Sequence, residues 1–228
     1  MLLFGIVAAT IPVPALDDRG TTRASAVETP NVAPARTPPP KPEPKPQKAV
    51  KVTPPVETRI HWQKSISHGT ANGGWLQRGV MLPKKGPGFY TYNPNTQVYP
   101  NAPDRRYGTD TLVRDLVDLT EWWSVRHPDG PRLGIGDLSW RSGGRLDNHA
   151  SHQSGVDVDI RLPRRDGVEG AANPGNYDRA KTQQIVDWWL AHGDIEYIFY
   201  GPSLQVSGDS RVMEWPNHDD HLHVRIRL

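Results

Sequence analysis

The sequence predicts an α+β fold, with a mostly antiparallel central sheet flanked by helices. Three observations lead there. Apolar residues recur at helical spacing in two stretches, around residues 111–127 and 178–192. Aliphatic and polar residues alternate strictly in two others, around 156–160 and 221–227, as in strands with one buried face. Helical and extended segments follow one another without the βαβ rhythm of a parallel sheet.

The first 27 residues stand apart. Residues 1–16 are almost wholly apolar, too short for a membrane span and broken by Pro12 and Pro14. They suit the apolar core of an export signal, with Val13 and Ala15 as small residues before a cleavage point. An exported protein is expected, periplasmic or cell-wall/extracellular, with no lasting membrane span. Residues 28–57 form a linker: ten of the 23 prolines fall there, including the alternation Lys41-Pro42-Glu43-Pro44-Lys45-Pro46. Proline lacks an amide donor and fixes φ, so this segment joins neither a sheet nor a helix interior. As polyproline II, at about 3.1 Å per residue, it would reach on the order of 90 Å.

The folded domain is expected over residues 58–228. Tryptophans appear there, and turn signals such as Asn72-Gly73-Gly74 and Lys85-Gly86-Pro87-Gly88 punctuate residues 70–104 as loops and short strands. In the first helix, Leu112, Leu116, Leu119 and Trp123 share a face, Thr109 or Asp110 caps the start, and Pro128 with Gly130 stops it. A strand over 132–140 and a Gly-rich loop, Ser142-Gly143-Gly144-Arg145, follow. The second helix carries Ile185, Val186, Trp189 and Leu190, with Gly193 placed to end it. An extended run over 195–200 and the last strand complete the chain.

Composition excludes several chemistries. There are no cysteines, so disulfides, Cys-rich zinc sites and thiol nucleophiles are out. The net charge of +2 lies in the tail: residues 1–57 carry seven Lys/Arg and five Asp/Glu, and the rest carries twenty of each. A neutral domain gives no footing for nucleic acid. No Ser-x-x-Lys occurs, which removes the serine acyl-enzyme route of penicillin-binding proteins.

Five of the nine histidines sit in two short windows, His149-Ala150-Ser151-His152 and His218-Asp219-Asp220-His221-Leu222-His223. Neutral imidazole is the commonest zinc ligand. Asp157 and Asp159 share one strand face, and His152 lies on the loop entering that strand. In the last strand His221, His223, Arg225 and Arg227 share a face, and Leu222, Val224 and Ile226 take the buried one. Three protein ligands, His152, Asp159 and His223, would leave a fourth position to water, as in catalytic zinc sites. Asp157 is expected beside the metal in a supporting or structural role, and Asp219 and Asp220 as loop-shaping residues. Arg145 reads as a surface arginine.

The spacing His-x6-Asp with a late His-x-His resembles the zinc peptidase superfamily of lysostaphin, D-alanyl-D-alanine carboxypeptidases and the hedgehog signalling domain. Gly143-Gly144-Arg145, His149-Ala150-Ser151-His152-Gln153, Gly155-Val156-Asp157-Val158-Asp159-Ile160, His221-Leu222-His223-Val224-Arg225 and Arg105-Arg106-Tyr107-Gly108 resemble, more closely, the penicillin-insensitive murein endopeptidases. The likeness covers roughly residues 70–228. It implies a hedgehog/D,D-peptidase-like fold and a Zn2+ cofactor held by His152, Asp159 and His223. It makes His221 the catalytic general base and acid, His218 a second active-site histidine, and His149 a further histidine near the metal. The implied reaction is zinc-dependent hydrolysis of peptide cross-links in peptidoglycan, of the D-alanyl–diaminopimelyl type. A D,D-carboxypeptidase or dipeptidase of the same fold, and a non-catalytic zinc-containing wall-binding module, are the alternatives.

Overall fold

The computed structural model describes residues 59–227, so the expected signal segment and proline-rich linker lie outside the described residues. In chain order the elements are β1 (Ile66–His68), β2 (Trp75–Gln77), β3 (Val80–Met81), β4 (Lys85–Gly86), β5 (Phe89–Thr91), β6 (Tyr107–Gly108), α1 (Asp110–Arg126), β7 (Leu133–Ile135), β8 (Asp157–Arg161), α2 (Arg179–His192), β9 (Ile195–Tyr200), β10 (Val212–Glu214) and β11 (His221–Ile226).

The main sheet has seven strands in the order β10-β9-β11-β8-β7-β5-β4. Its centre is antiparallel: β11 pairs with both β8 and β9, and β8 with β7. The sheet as a whole is mixed, because β5 runs parallel to β7 and β9 parallel to β10. The α+β expectation therefore holds with one addition. The segment β5–α1–β7 is a βαβ crossover that the sequence did not advertise, since each of its strands is three residues long. Strands that short leave no alternation to detect. The strand expected over 132–140 shrinks to β7 for the same reason: from residue 136 onward the chain turns into the loop that carries the site.

The helices form where their periodicity put them. The Thr109 hydroxyl accepts from the Leu112 amide at 3.2 Å and caps α1, which buries Leu112, Val113, Leu116, Leu119 and Trp123. Asp178 caps α2 by accepting from the Lys181 amide at 3.0 Å. Gly193 ends α2 for a different reason from the one expected. Its φ is −89°, so no left-handed turn is needed. A Cβ there would meet the Trp189 ring at 2.6 Å, and glycine is required by packing. Gly88 has a similar role, because a Cβ would lie 1.9 Å from the Thr120 carbonyl oxygen of α1.

Alternation divides the sheet into two faces. Val158, Ile160, Leu222, Val224 and Ile198 join Leu116, Trp123, Ile185 and Trp189 of the helices in one buried cluster. Both helices thus lie on the same face of the sheet. The opposite face carries Asp157, Asp159 and Arg161 on β8, His221, His223 and Arg225 on β11, and Tyr197 and Phe199 on β9. This face is also partly closed, with His223 at 5% and Arg225 at 9% exposure. The loop before β8 and the β1–β2 turn fold over it, bringing His152 to His223 and Asn72 to Arg225. No described helix is long and apolar enough to cross a membrane.

Candidate metal centre

Register assembles the site. On neighbouring strands β8 and β11, His223 stands opposite Asp159, Arg225 opposite Asp157 and His221 opposite Arg161. The loop between β7 and β8 adds His149 and His152 from above. Two backbone bonds pin its start to β8: Gly136 N–H donates to the Asp159 carbonyl at 2.8 Å, and Asp159 N–H to the Asp137 carbonyl at 3.1 Å. His152 sits at φ 65°, in the left-handed region. For a non-glycine residue this costs about 1–3 kcal/mol. The Asp157 carboxylate offsets part of that cost by accepting the His152 amide at 2.9 Å.

Three donor atoms converge as a result. His152 Nε2 lies 3.2 Å from His223 Nδ1 and 3.3 Å from Asp159 Oδ1, and His223 Nδ1 lies 3.1 Å from Asp159 Oδ1. Tetrahedral ligands about 2.0–2.1 Å from one ion stand about 3.3–3.4 Å apart. The hydrogen bonds behind the rings fix the tautomers. His152 Nδ1 donates to the Leu138 carbonyl at 2.7 Å, which leaves Nε2 with a free lone pair in the neutral ring. His223 Nε2 donates to Asp157 Oδ1 at 3.1 Å, so its Nδ1 is the atom that faces inward. Asp157 also accepts from Arg225 Nε at 2.6 Å, which holds the carboxylate in place. A carboxylate behind a ligating imidazole is the usual way its orientation and basicity are set. These residues fit a small divalent cation.

The electrostatics agree. Burial alone would raise the Asp159 carboxyl, but the charges of His152 and His221 and its hydrogen bonds to His152 and His223 hold it well below the usual range. Burial likewise opposes ionisation of Asp157, and His223, His152 and Arg225 outweigh it and lower that group strongly. Burial opposes charge on His223 too, yet the two aspartates raise it to about 9. Two buried carboxylates make this spot one that favours a positive charge.

The remaining predicted residues fall around the donors. His221 Nε2 lies 3.8 Å from Asp159 Oδ1, while its Nδ1 donates to Asp220 Oδ1 at 2.7 Å. The free Nε2 therefore faces the centre. His218 stands with its ring 4.8 Å from that of His221 and donates from Nδ1 to the Pro216 carbonyl at 2.7 Å. Burial, with the nearby charge of His221, lowers the pKa of His218. His149 stacks at a tilt on His152, with ring centroids 4.3 Å apart. His149, His152 and Asp159 offer ligand atoms that all lie within 4.8 Å of one another. His149 Nδ1 is nevertheless 3.9 Å from Asp159 Oδ2, outside the tight triangle that includes His223. Asp219 shapes a loop by accepting the Ser203 amide at 3.1 Å, and the Arg145 side chain is exposed.

Two residues of the site escaped the sequence reading. Asp137, fully buried, accepts from Arg105 Nε at 2.9 Å, Asn101 Nδ2 at 2.8 Å and His149 Nε2 at 2.9 Å. It thus anchors His149, and Arg105 of the Arg-Arg-Tyr-Gly motif anchors it. A lone aspartate after a short strand carries no spacing signal. Asp220, expected only to shape the loop, also orients His221, and only the angle of that side chain reveals it. The centre adjoins a groove of about 630 Å³ lined by residues that include His149, Tyr197, Phe199, Trp215, His218 and His221.

Comparison with known proteins adds an independent finding. A family profile described as penicillin-insensitive murein endopeptidase matches residues 67–189. The match includes His149, His152 and Asp159 and stops short of β11. Relatives of that name include a Haemophilus influenzae protein, 27% identical over 193 residues, covering 72% of this chain and 64% of the relative. A Klebsiella pneumoniae protein is 25% identical over 202 residues, covering 73% and 70%. One from Salmonella paratyphi C is 29% identical over 167 residues, covering 58% of each. The chain therefore spans slightly less than two thirds of the Haemophilus protein and little more of the Klebsiella one.

Proposed function

The chain belongs to the penicillin-insensitive murein endopeptidase family, and from that membership we propose that it is a zinc-dependent endopeptidase. Its substrate is the peptide cross-link of peptidoglycan, of the D-alanyl–diaminopimelyl type. Residues 58–228 form the peptidase domain, with the hedgehog/D,D-peptidase-like fold. The protein acts outside the cytoplasm, in the periplasm or wall, where this substrate is found.

One observation carries the reading: three donors, His152 Nε2, Asp159 Oδ1 and His223 Nδ1, lie within 3.1–3.3 Å of one another, and Asp159 and His223 line the groove. We assign these three as the zinc ligands. Bound there, zinc supplies Lewis acidity and a water whose pKa falls towards about 7. The rest of the chemistry belongs to the chain. His221 is the general base and acid: with Nδ1–H tied to Asp220, its Nε2 takes a proton from the attacking water and returns it to the leaving amine. His218, whose pKa burial lowers and whose Nδ1–H is tied to Pro216, presents an acceptor beside His221. Asp157 fixes the His223 ring, and Asp137 fixes His149 close to the metal.

The test is direct. Purified protein with zinc is incubated with cross-linked sacculi, and the muropeptides are separated and weighed. Dimers should be converted to monomers without release of free D-alanine, and chelation should stop the conversion. Dimers that persist with zinc supplied would overturn the reading. Release of D-alanine with dimers spared would replace it by a D,D-carboxypeptidase.

A further inference from the structure

Beside the donor triangle the floor of the groove is aromatic. Phe199 and Tyr197 are the register partners of His223 and Arg225, so they face the groove from β9. Tyr197 stacks on Phe199 with centroids 4.0 Å apart, and Phe199 stacks on Trp215 at 4.8 Å and 17°. The column is anchored at both ends. The Arg225 guanidinium caps Tyr197 at 4.6 Å, and the Trp215 amide donates to the Tyr200 carbonyl at 2.8 Å. Phe199 itself stands with its ring 5.9 Å from that of His223.

Trp215 ends this column. One face of its indole lies on Phe199, and the residue is 53% exposed, so the outer face is the open one. Pro216, Asn217 and His218 continue along the groove from it. Burial of an aromatic ring is among the larger stabilising contributions a fold can draw on. Here a large ring rests on Phe199 and is left half in water. The four tryptophans of the helix pairs do not share this: Trp123, Trp188 and Trp189 are buried and Trp122 packs on the core.

A flat, rigid apolar face with polar groups alongside suits one kind of ligand. A pyranose ring presents a face of C–H groups and an equatorial rim of hydroxyl and acetamido groups. The small or charged side chains of a wall peptide offer no flat apolar face of that size. The ledge is also continuous with the reaction centre, so its occupant is another part of the molecule being cleaved. We propose that Trp215 is the floor of a saccharide subsite, which holds an N-acetylated sugar of the glycan strand to which the cleaved peptide is attached. The substrate class rests on the endopeptidase reading above; the saccharide platform rests on the stacked column.

Two measurements separate these. Peptide-free glycan oligosaccharides are titrated into the protein while the indole N–H signals are followed by NMR. A saturable shift of the Trp215 signal is expected, with no binding by Trp215→Ala; no shift, or undiminished binding by the variant, overturns the subsite. Initial rates are then compared on cross-linked dimers with their disaccharides and on the same dimers stripped of sugar. Trp215→Ala should lower kcat/KM about tenfold on the former and leave the latter within about twofold, and Trp215→Phe should recover most of the loss. Equal losses on both substrates would mean that the ledge serves the peptide, and would overturn the proposal. If the wild type cleaves neither dimer, the endopeptidase reading fails, and the sugar titration still decides the subsite.

Discussion

His221 and His223 are two residues apart on one strand and have different surroundings. His223 is wedged between Asp157 and Asp159, while His221 points its free Nε2 at the centre from the groove side. His221→Ala should therefore lower the rate on cross-linked dimers by about 10² to 10⁴-fold and leave the metal content unchanged, as read by metal analysis beside muropeptide rates. Loss of metal in that variant would make His221 a ligand. Asp137 affords a second test. Burial would raise its carboxyl, but hydrogen bonds from Arg105, His149 and Asn101 hold it below the ordinary 3.8. A depressed folded-state pKa gives stability that is complete above the unfolded value and is lost as pH falls through the folded one. Asp137→Asn should cost on the order of 3 kcal/mol at neutral pH, since it strands the buried Arg105. The gap to the wild type should shrink below about pH 4, as measured by urea unfolding across pH. Composition and spacing made the histidines legible and left Asp137 invisible, because an acid that acts through another side chain has no fixed distance from it along the chain.

Among the elements, β8 and β11 were readable because each shows the period of two over five or six residues. The same strands supply aliphatic residues to the core and polar residues to the site. This is why removing residues 221–228 would test the fold as much as the chemistry, and why point substitutions are the cleaner probe. The β5–α1–β7 crossover was not readable, because its strand assignments follow from tertiary pairing and not from local pattern. Its packing has one narrow point, Gly88 against the Thr120 carbonyl, where an added Cβ would be 1.9 Å from the oxygen. Gly88→Ala should push the loop off α1 at a cost of about 2–3 kcal/mol. That corresponds to a fall in Tm of roughly 4–12 °C, measured by calorimetry; an unchanged Tm would show that the loop has room to move.

At the scale of the whole molecule, the helices occupy one face of the sheet and the site the other. A substrate of the proposed centre would therefore meet the sheet directly, with the helix pair packed behind it. Removal of residues 1–57 should leave Tm unchanged and hydrolysis of soluble dimers within about twofold, because every site residue lies between Asn72 and Arg225. A large loss in that fragment would assign residues 1–57 a part in folding or catalysis. Composition changes near residue 58, from a proline-rich segment to one that bears tryptophans. It could not show which face of the sheet the helices cover: alternation distinguishes two faces and does not say what packs on each.

The pairing of β8 with β11 works as a reading frame. A slip of two residues would leave each aliphatic side chain on its own face. The letter opposite Asp159 would change, however, from His223 to His221 or Arg225. Such a molecule would lose the convergence of His152, Asp159 and His223. The convergence of the three donors therefore reports on the frame, since the observed alignment is the one that sets His223 opposite Asp159 and beside His152.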